Sequence, residues 1–422
     1  MATAMAMATE RMPSPVRLDS ALMPSSKIRI VLAALIGVGL AFSAGANALA
    51  NASWKSYPEL VERLWPGQAR ALVRRGESAF AKGPTDPARL REAQDLGRAS
   101  LRAQAVEGKA LQLLGLVANA RGDQATAERL MTLSARLSRR NGFVQLWFVD
   151  SDARAGRTAA ALGHFDTAMN ASPALNGKLY PVLANALQDP GIRREFARYV
   201  RREPEWLPSF MGYAADQGSN PAALAMAVIA AGGLPRDEAY KTTVALLLGK
   251  LATTGQLEEL LALYKVQAPR NAAGVPTSLG FEPAGVDQTL APVAWEFLPS
   301  DSGQASLIPE AGGSGPALRL EAYDAARVEV ARKVLFLSPG QYRLNHAVTR
   351  LSDGAPGSLR LTLACARNGG VTLAEIPLEG GGNRNVNVPA GCTAQRATIA
   401  IVGATGSDAF EAALTRLTII PA

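Results

Sequence analysis

The chain has 422 residues, of which 48 % are hydrophobic and 19 % charged, and a formal net charge of +8. At about 150 residues per domain this length predicts two or three domains, and the composition excludes disorder along most of the chain. Residues 271–422 hold 11 basic and 13 acidic side chains, so the basic excess lies in the first two-thirds and argues against a nucleic-acid binder.

In chain order, residues 1–27 are small and polar, without periodicity, and are expected to form a disordered leader. The apolar run 28–50 follows, with no charged side chain between Ile30 and Lys55. About 20 helical residues cross a ~30 Å hydrocarbon core, so this run is long enough to span a membrane. Arg11, Arg17, Lys27 and Arg29 precede its uncharged stretch, which places the N-terminus in the cytoplasm and the bulk of the chain on the far side, the periplasm of a bacterial inner membrane. The long polar leader and the stretch to Ala50 suit an uncleaved transmembrane signal-anchor, with a signal cleaved after Ala46-Asn47-Ala48 or Ala48-Leu49-Ala50 as the alternative.

Residues 57–267 are rich in Ala, Leu and Arg, with helical periodicity broken by short Gly/Pro turns. Gly122 and Gly156 are 34 residues apart, as are Ala127 and Ala161, Met131 and Phe165, Ser134 and Ala168, and Arg139 and Pro173. Small residues at Gly115, Ala127, Ala161 and Ala168 allow two antiparallel helices to approach closely. Gly122 and Gly156 turn the chain between them, Met131 and Phe165 fill the seam, and Pro173 ends the second unit. These positions resemble the tetratricopeptide repeat family, most closely over 107–173. The resemblance implies an all-α helical solenoid that docks a protein partner and performs no chemistry. Arg194, Arg198, Arg201 and Arg202 recur at three- and four-residue spacing, which makes them a candidate face for an anionic partner or a solvated helix surface. His164, beside Phe165, reads as a structural histidine.

Residues 268–278 are rich in helix breakers and read as a linker. From 279 to 422 short alternating runs are separated by Gly, Pro, Asn and Asp. They include Leu318/Leu320, Tyr342/Leu344, Leu359/Leu361/Leu363/Cys365, Val386/Val388, Ile399/Ile401 and Leu414/Leu417/Ile419. This pattern predicts an all-β antiparallel sandwich. Cys365 and Cys392 are the only cysteines, and in an oxidising compartment they would close a loop of about 28 residues, worth about 3–4 kcal/mol.

Gly280-Phe281-Glu282, Ala294-Trp295-Glu296-Phe297, Leu337 to Leu344 and Ala412 to Pro421 resemble carbohydrate-binding modules of the jelly-roll type. That resemblance implies sugar stacking on exposed aromatic side chains. Tyr323 beside Asp324 is the candidate contact, whereas Trp295 and Tyr342 read as core. His346 also reads as structural, with Asp353 or Arg350 as possible partners. Glu296, Asp301, Glu310, Glu321 and Asp324 could form a glycosidase pair only if the fold brings two of them together in a cleft. No Cys/His cluster has zinc spacing, and no metal or cofactor is expected.

The expected architecture is multi-domain: a membrane segment, a tetratricopeptide-like solenoid and a jelly-roll sandwich. The expected role is a non-enzymatic envelope or exopolysaccharide scaffold, with a glycan-binding protein acting through its sandwich as the alternative.

Overall fold

The computed structural model describes residues 67–422, apart from 283–287, 310–315, 353–356, 368–369 and 404–408, together with scattered positions between 37 and 63. The expected leader lies outside the described residues, and so does most of the apolar run 28–50. Among the described residues no helix is long and apolar enough to cross a membrane. The chain divides into two compact units, residues 1–138 and 139–422.

The first unit contains α1 (Ala69–Lys82), α2 (Pro87–Ala103), α3 (Gly108–Ala120) and α4 (Gln124–Leu137). Asp86 starts α2 by accepting the Ala88 N–H, with Pro87 in the first helical turn, and Asp123 starts α4 by accepting the Thr126 N–H. Glycines allow the helices to pack closely, since a Cβ on Gly97 would lie 3.0 Å from Leu114 and one on Gly115 would lie 3.1 Å from Met131. Ser100 and Ser134 are each buried and donate their hydroxyl across a hairpin, to the Ala69 carbonyl (3.0 Å) and the Gly108 carbonyl (2.7 Å) respectively. Ala79, Leu90, Ala93, Leu113 and Val117 form the core.

The second unit begins with the hairpin of α5 (Gly142–Arg154) and α6 (Thr158–Ala171), which buries Ala161, Phe165 and Ala168. A 3-10 turn (Pro173–Leu175) precedes α7 (Asn176–Ala186), α8 (Pro190–Arg202), α9 (Leu207–Gln217), α10 (Pro221–Ala231), α11 (Glu238–Thr253) and α12 (Leu257–Gln267). Here α8 packs on α10 and α10 on α12, while α9 packs on α11. One left-handed glycine turn recurs in both units, at Gly122 (φ 80°), Gly156 (70°), Gly232 (90°) and Gly255 (71°). In each case the next residue donates its N–H to the carbonyl five residues back, to Ala118, Asp152, Val228 and Leu251 respectively.

Segment 268–278 is packed structure. It forms 3-10 turns over Arg270–Ala272 and Val275–Thr277, Ala272 and Val275 are buried in the helical core, and the Ala272 carbonyl accepts the Tyr264 hydroxyl (3.0 Å). Ten strands follow: β1 (Glu296–Phe297), β2 (Gly303–Pro309), β3 (Pro316–Ala322), β4 (Arg327–Leu335), β5 (Gly340–Arg350), β6 (Ser358–Cys365), β7 (Thr372–Pro377), β8 (Gly382–Val388), β9 (Gln395–Val402) and β10 (Phe410–Pro421). They form two five-stranded antiparallel sheets, in the orders β1-β4-β9-β6-β7 and β2-β3-β10-β5-β8. Alternate residues such as Leu318, Leu344, Leu361, Ile399 and Leu414 face inward and form the sandwich core. Cys365 and Cys392 are joined in a disulfide at the edge of this core. Val334 and Ala394 belong to the helical core, so the helices cover part of the outer side of the first sheet.

Candidate functional site

The strand period of two decides what the second sheet presents outward. In β5, Tyr342, Leu344 and His346 are buried, while Gln341, Arg343 and Asn345 face away from the core. Their register partners in β8 are Asn387, Asn385 and Asn383, and Thr418 of β10 lies opposite Asn345. The result is a grid of side-chain amides and a hydroxyl around the guanidinium of Arg343, with rows ~6.8 Å apart along a strand and columns ~4.8 Å apart between strands. The Gln341 amide nitrogen donates to Asn387 Oδ1 at 3.2 Å, and Asn345 Nδ2 lies 3.5 Å from Thr418 Oγ1. A primary amide has two donor hydrogens and an acceptor oxygen, so each group keeps capacity for a ligand after one such bond.

The opposite corner of this face is charged. Arg319 of β3 lies 2.8 Å from both Glu321 and Glu411. Glu321 also accepts from Gln304 (2.8 Å) and from the hydroxyl of Tyr323 (2.7 Å). The Gln304 hydrogen bond, with help from Tyr323 and Arg319, holds Glu321 below the usual carboxylate range despite its partial burial. A glycosidase acid needs its pKa raised, so this environment works against that role for Glu321.

Tyr323 is exposed, and its bond to Glu321 ties it to the outer face. Asp324 is occupied locally, accepting the Ser302 hydroxyl (2.8 Å) and the Ala326 N–H (2.8 Å) across a tight turn. Glu296 forms a two-pronged ion pair with Arg332 at 2.6 and 2.9 Å. Glu310 and Asp353 lie outside the described residues.

Three of the four candidate arginines on α8 act as interhelix stitches. Arg198 donates to the Ala159 carbonyl (2.8 Å), Arg201 to the Ala230 carbonyl (3.3 Å), and Arg202 pairs with Asp166 at 2.5 Å. Arg194 is exposed. His164 stacks on Phe148 (4.8 Å between centroids) and bonds Gln145 at 2.7 Å; burial lowers its pKa against the opposing pull of Asp152.

Trp295 and Tyr342 are core residues. Among the described residues the buried His346 has no hydrogen-bond partner on either ring nitrogen. The amide grid is the feature that the hydrophobic pattern missed. Its signal lies in Gly382-Asn383-Arg384-Asn385-Val386-Asn387-Val388, where asparagine occupies every second position.

No known protein family and no curated protein matches this chain. Among solved structures it is similar to a family 61 carbohydrate-binding module in complex with β-1,4-galactotriose, at 13 % identity and a TM-score of 0.23, over 30 % of this chain and 88 % of the module. It is also similar to a family GH115 4-O-methyl-α-glucuronidase with specificity for decorated arabinogalactans, at 13 % identity and a TM-score of 0.18, over 73 % of this chain. The match spans about half (48 %) of that enzyme's length.

Proposed function

We propose that the protein is a non-enzymatic glycan-binding scaffold that holds a polysaccharide along the outer face of its second sheet. The supporting observation is the grid formed by Gln341, Asn345, Asn383, Asn385 and Asn387 on adjacent strands. Sugar hydroxyls both donate and accept, and so do primary amides, so a row of amides at strand spacing suits an extended, hydroxyl-rich chain. Tyr323 supplies one exposed ring at the far corner of the same face.

In this reading the helical hairpins dock a protein partner in cell-envelope or exopolysaccharide assembly. The apolar run 28–50 tethers the chain to the inner membrane, with its bulk in the periplasm. The basic residues before that run support this orientation.

The test is a glycan array, followed by titration calorimetry on the full chain in detergent. The triple variant Asn383→Ala, Asn385→Ala, Asn387→Ala should lose at least tenfold in affinity for any glycan the native chain captures, with an unchanged melting temperature. Undiminished binding by the triple variant would remove the sheet face as the site.

A further inference from the structure

A cavity of about 200 Å³ lies at the N-terminal end of α11, beside the last residue of α12 and the 3-10 turn Gln288–Leu290. None of its lining residues belongs to the second sheet. The volume is well above the ~15 Å³ that holds one water and below the ~300 Å³ at which drug-sized sites begin.

Two polar side chains line this cavity although almost wholly buried: Tyr240 is 1 % exposed and Gln267 5 %. The Gln267 Oε1 atom accepts the Leu234 N–H at 2.6 Å, which fixes the amide orientation and leaves its nitrogen as the free end. Among the described residues nothing hydrogen-bonds that nitrogen or the Tyr240 hydroxyl. Two hydrogen-bonding groups that open onto a single cavity suit an occupant with hydrogen-bonding groups of its own.

The charges around the cavity select the kind of occupant. Arg236 is committed to the backbone, donating to the Gln267 carbonyl (3.0 Å) and the Ala268 carbonyl (2.8 Å). Lys241 is paired with Glu238 at 2.8 Å. Asp237 keeps one carboxylate oxygen on the Ala239 N–H (3.1 Å) and has a second to offer. Burial, followed by the negative charges of Glu203 and Asp237, pushes the Tyr240 phenol up to about 12. The same negative charges would repel an anion placed against the hydroxyl. Pro235, Pro269 and Leu290 supply apolar wall that suits the C–H faces of a ring.

We propose that this cavity is a second binding site, separate from the sheet face, that takes one uncharged, hydroxyl-rich ring of monosaccharide size. Tyr240 and the Gln267 nitrogen donate to ring oxygens, and Asp237 accepts a hydroxyl proton. The site stands independently of the sheet-face reading, because its residues and its ligand size are different.

The test uses the full chain in detergent with glucose, galactose and mannose as probes and glucuronate as the anionic control. Binding is read by saturation-transfer NMR and calorimetry. At least one neutral hexose should bind in the millimolar range, and more tightly than glucuronate. Tyr240→Phe removes only the hydroxyl and should weaken that binding about tenfold. Gln267→Glu keeps the acceptor for Leu234 and should do the same, which covers the case in which the first variant fails to fold. Asn385→Ala with Asn387→Ala should leave hexose binding intact. The proposal is overturned if no hexose binds, if glucuronate binds more tightly, or if Tyr240→Phe binds like the native chain. Hexose binding lost only in the asparagine variant also overturns it, while leaving the sheet face standing.

Discussion

Lys333 and Glu282 form an ion pair of 2.9 Å inside the sandwich, with side chains 0 % and 4 % exposed. Glu282 also accepts the Trp295 N–H (2.9 Å), and the Lys333 ammonium lies over the Trp295 ring, 5.7 Å from its centroid. Burial lowers the Lys333 pKa, and Glu282 works against that shift. Removing one partner strands a charge in the core, whereas removing both need not. Lys333→Met is therefore expected to cost about 3–5 kcal/mol in urea unfolding. The double variant Lys333→Met, Glu282→Gln keeps an acceptor for Trp295 and should recover at least half of the loss. Additive losses in the two single variants and the double would refute the coupling.

His346 makes the core sensitive to acid. Among the described residues neither ring nitrogen has a partner, and burial, reinforced by Arg384 and only partly opposed by Glu379, lowers the pKa. The unfolded chain, with its imidazole near 6.5, then binds the proton more readily than the folded one. Stability from this site is complete above about pH 6.5 and is lost as the pH falls toward the lowered folded value. His164 is shifted in the same direction and adds to the slope. His346→Leu should flatten the pH 5–7 dependence of the melting temperature and raise stability at pH 7 by about 1 kcal/mol, because it removes an unsatisfied polar group. A steeper acid slope in that variant would contradict the assignment.

The turn glycines carry a local cost that can be measured separately. Gly122 and Gly156 hold φ at 80° and 70°, and a Cβ at either position would meet no atom within 4 Å, so substitution tests the backbone alone. Gly122→Ala and Gly156→Ala should each lose about 1 kcal/mol, and Gly122→Asn less, since asparagine tolerates the left-handed region better. Equal losses for alanine and asparagine would show that the turn conformation is not what the position demands.

These turns were legible in the sequence because the 34-residue spacing repeats with the glycines in place. Beyond Pro173 the spacing fails: the helices stack α8 on α10 and α9 on α11, and the buried rings of Phe196, Trp206 and Phe210 pack α8 against the start of α9. Such packing carries no fixed period. The inward faces of β5, β6 and β9 were readable as alternation. In β10 the step from Leu414 to Leu417 breaks that alternation, because the register against β5 shifts between Leu414 and Arg416 at a bulge. The candidate site was less legible for a related reason. A hydrophobic pattern identifies the buried side of a strand, whereas the asparagines at 383, 385 and 387 lie on the other side and align with Gln341 and Asn345 only through pairing of distant segments. Segment 268–278 reads as a linker from its breakers, yet contacts made in three dimensions, such as Tyr264 to Ala272, give it a packed conformation.

The arginines of α8 can be assigned by comparing two variants. Asp166 accepts from the buried Trp206 Nε1 at 2.8 Å and from Asn170 at 3.0 Å, in addition to its pair with Arg202. Arg202 itself is 58 % exposed at its side chain, so its ion pair is screened by water. Arg202→Ala should therefore cost at most about 1 kcal/mol. Asp166→Ala leaves the Trp206 N–H without an acceptor and should cost about 1–3 kcal/mol, with Asp166→Asn between the two. Denaturant unfolding followed by circular dichroism measures both losses. If Arg202→Ala costs as much as Asp166→Ala, the guanidinium is the main tie between α6 and α8. If it costs little, the exposed part of Arg202 is available, together with Arg194, to an anionic partner.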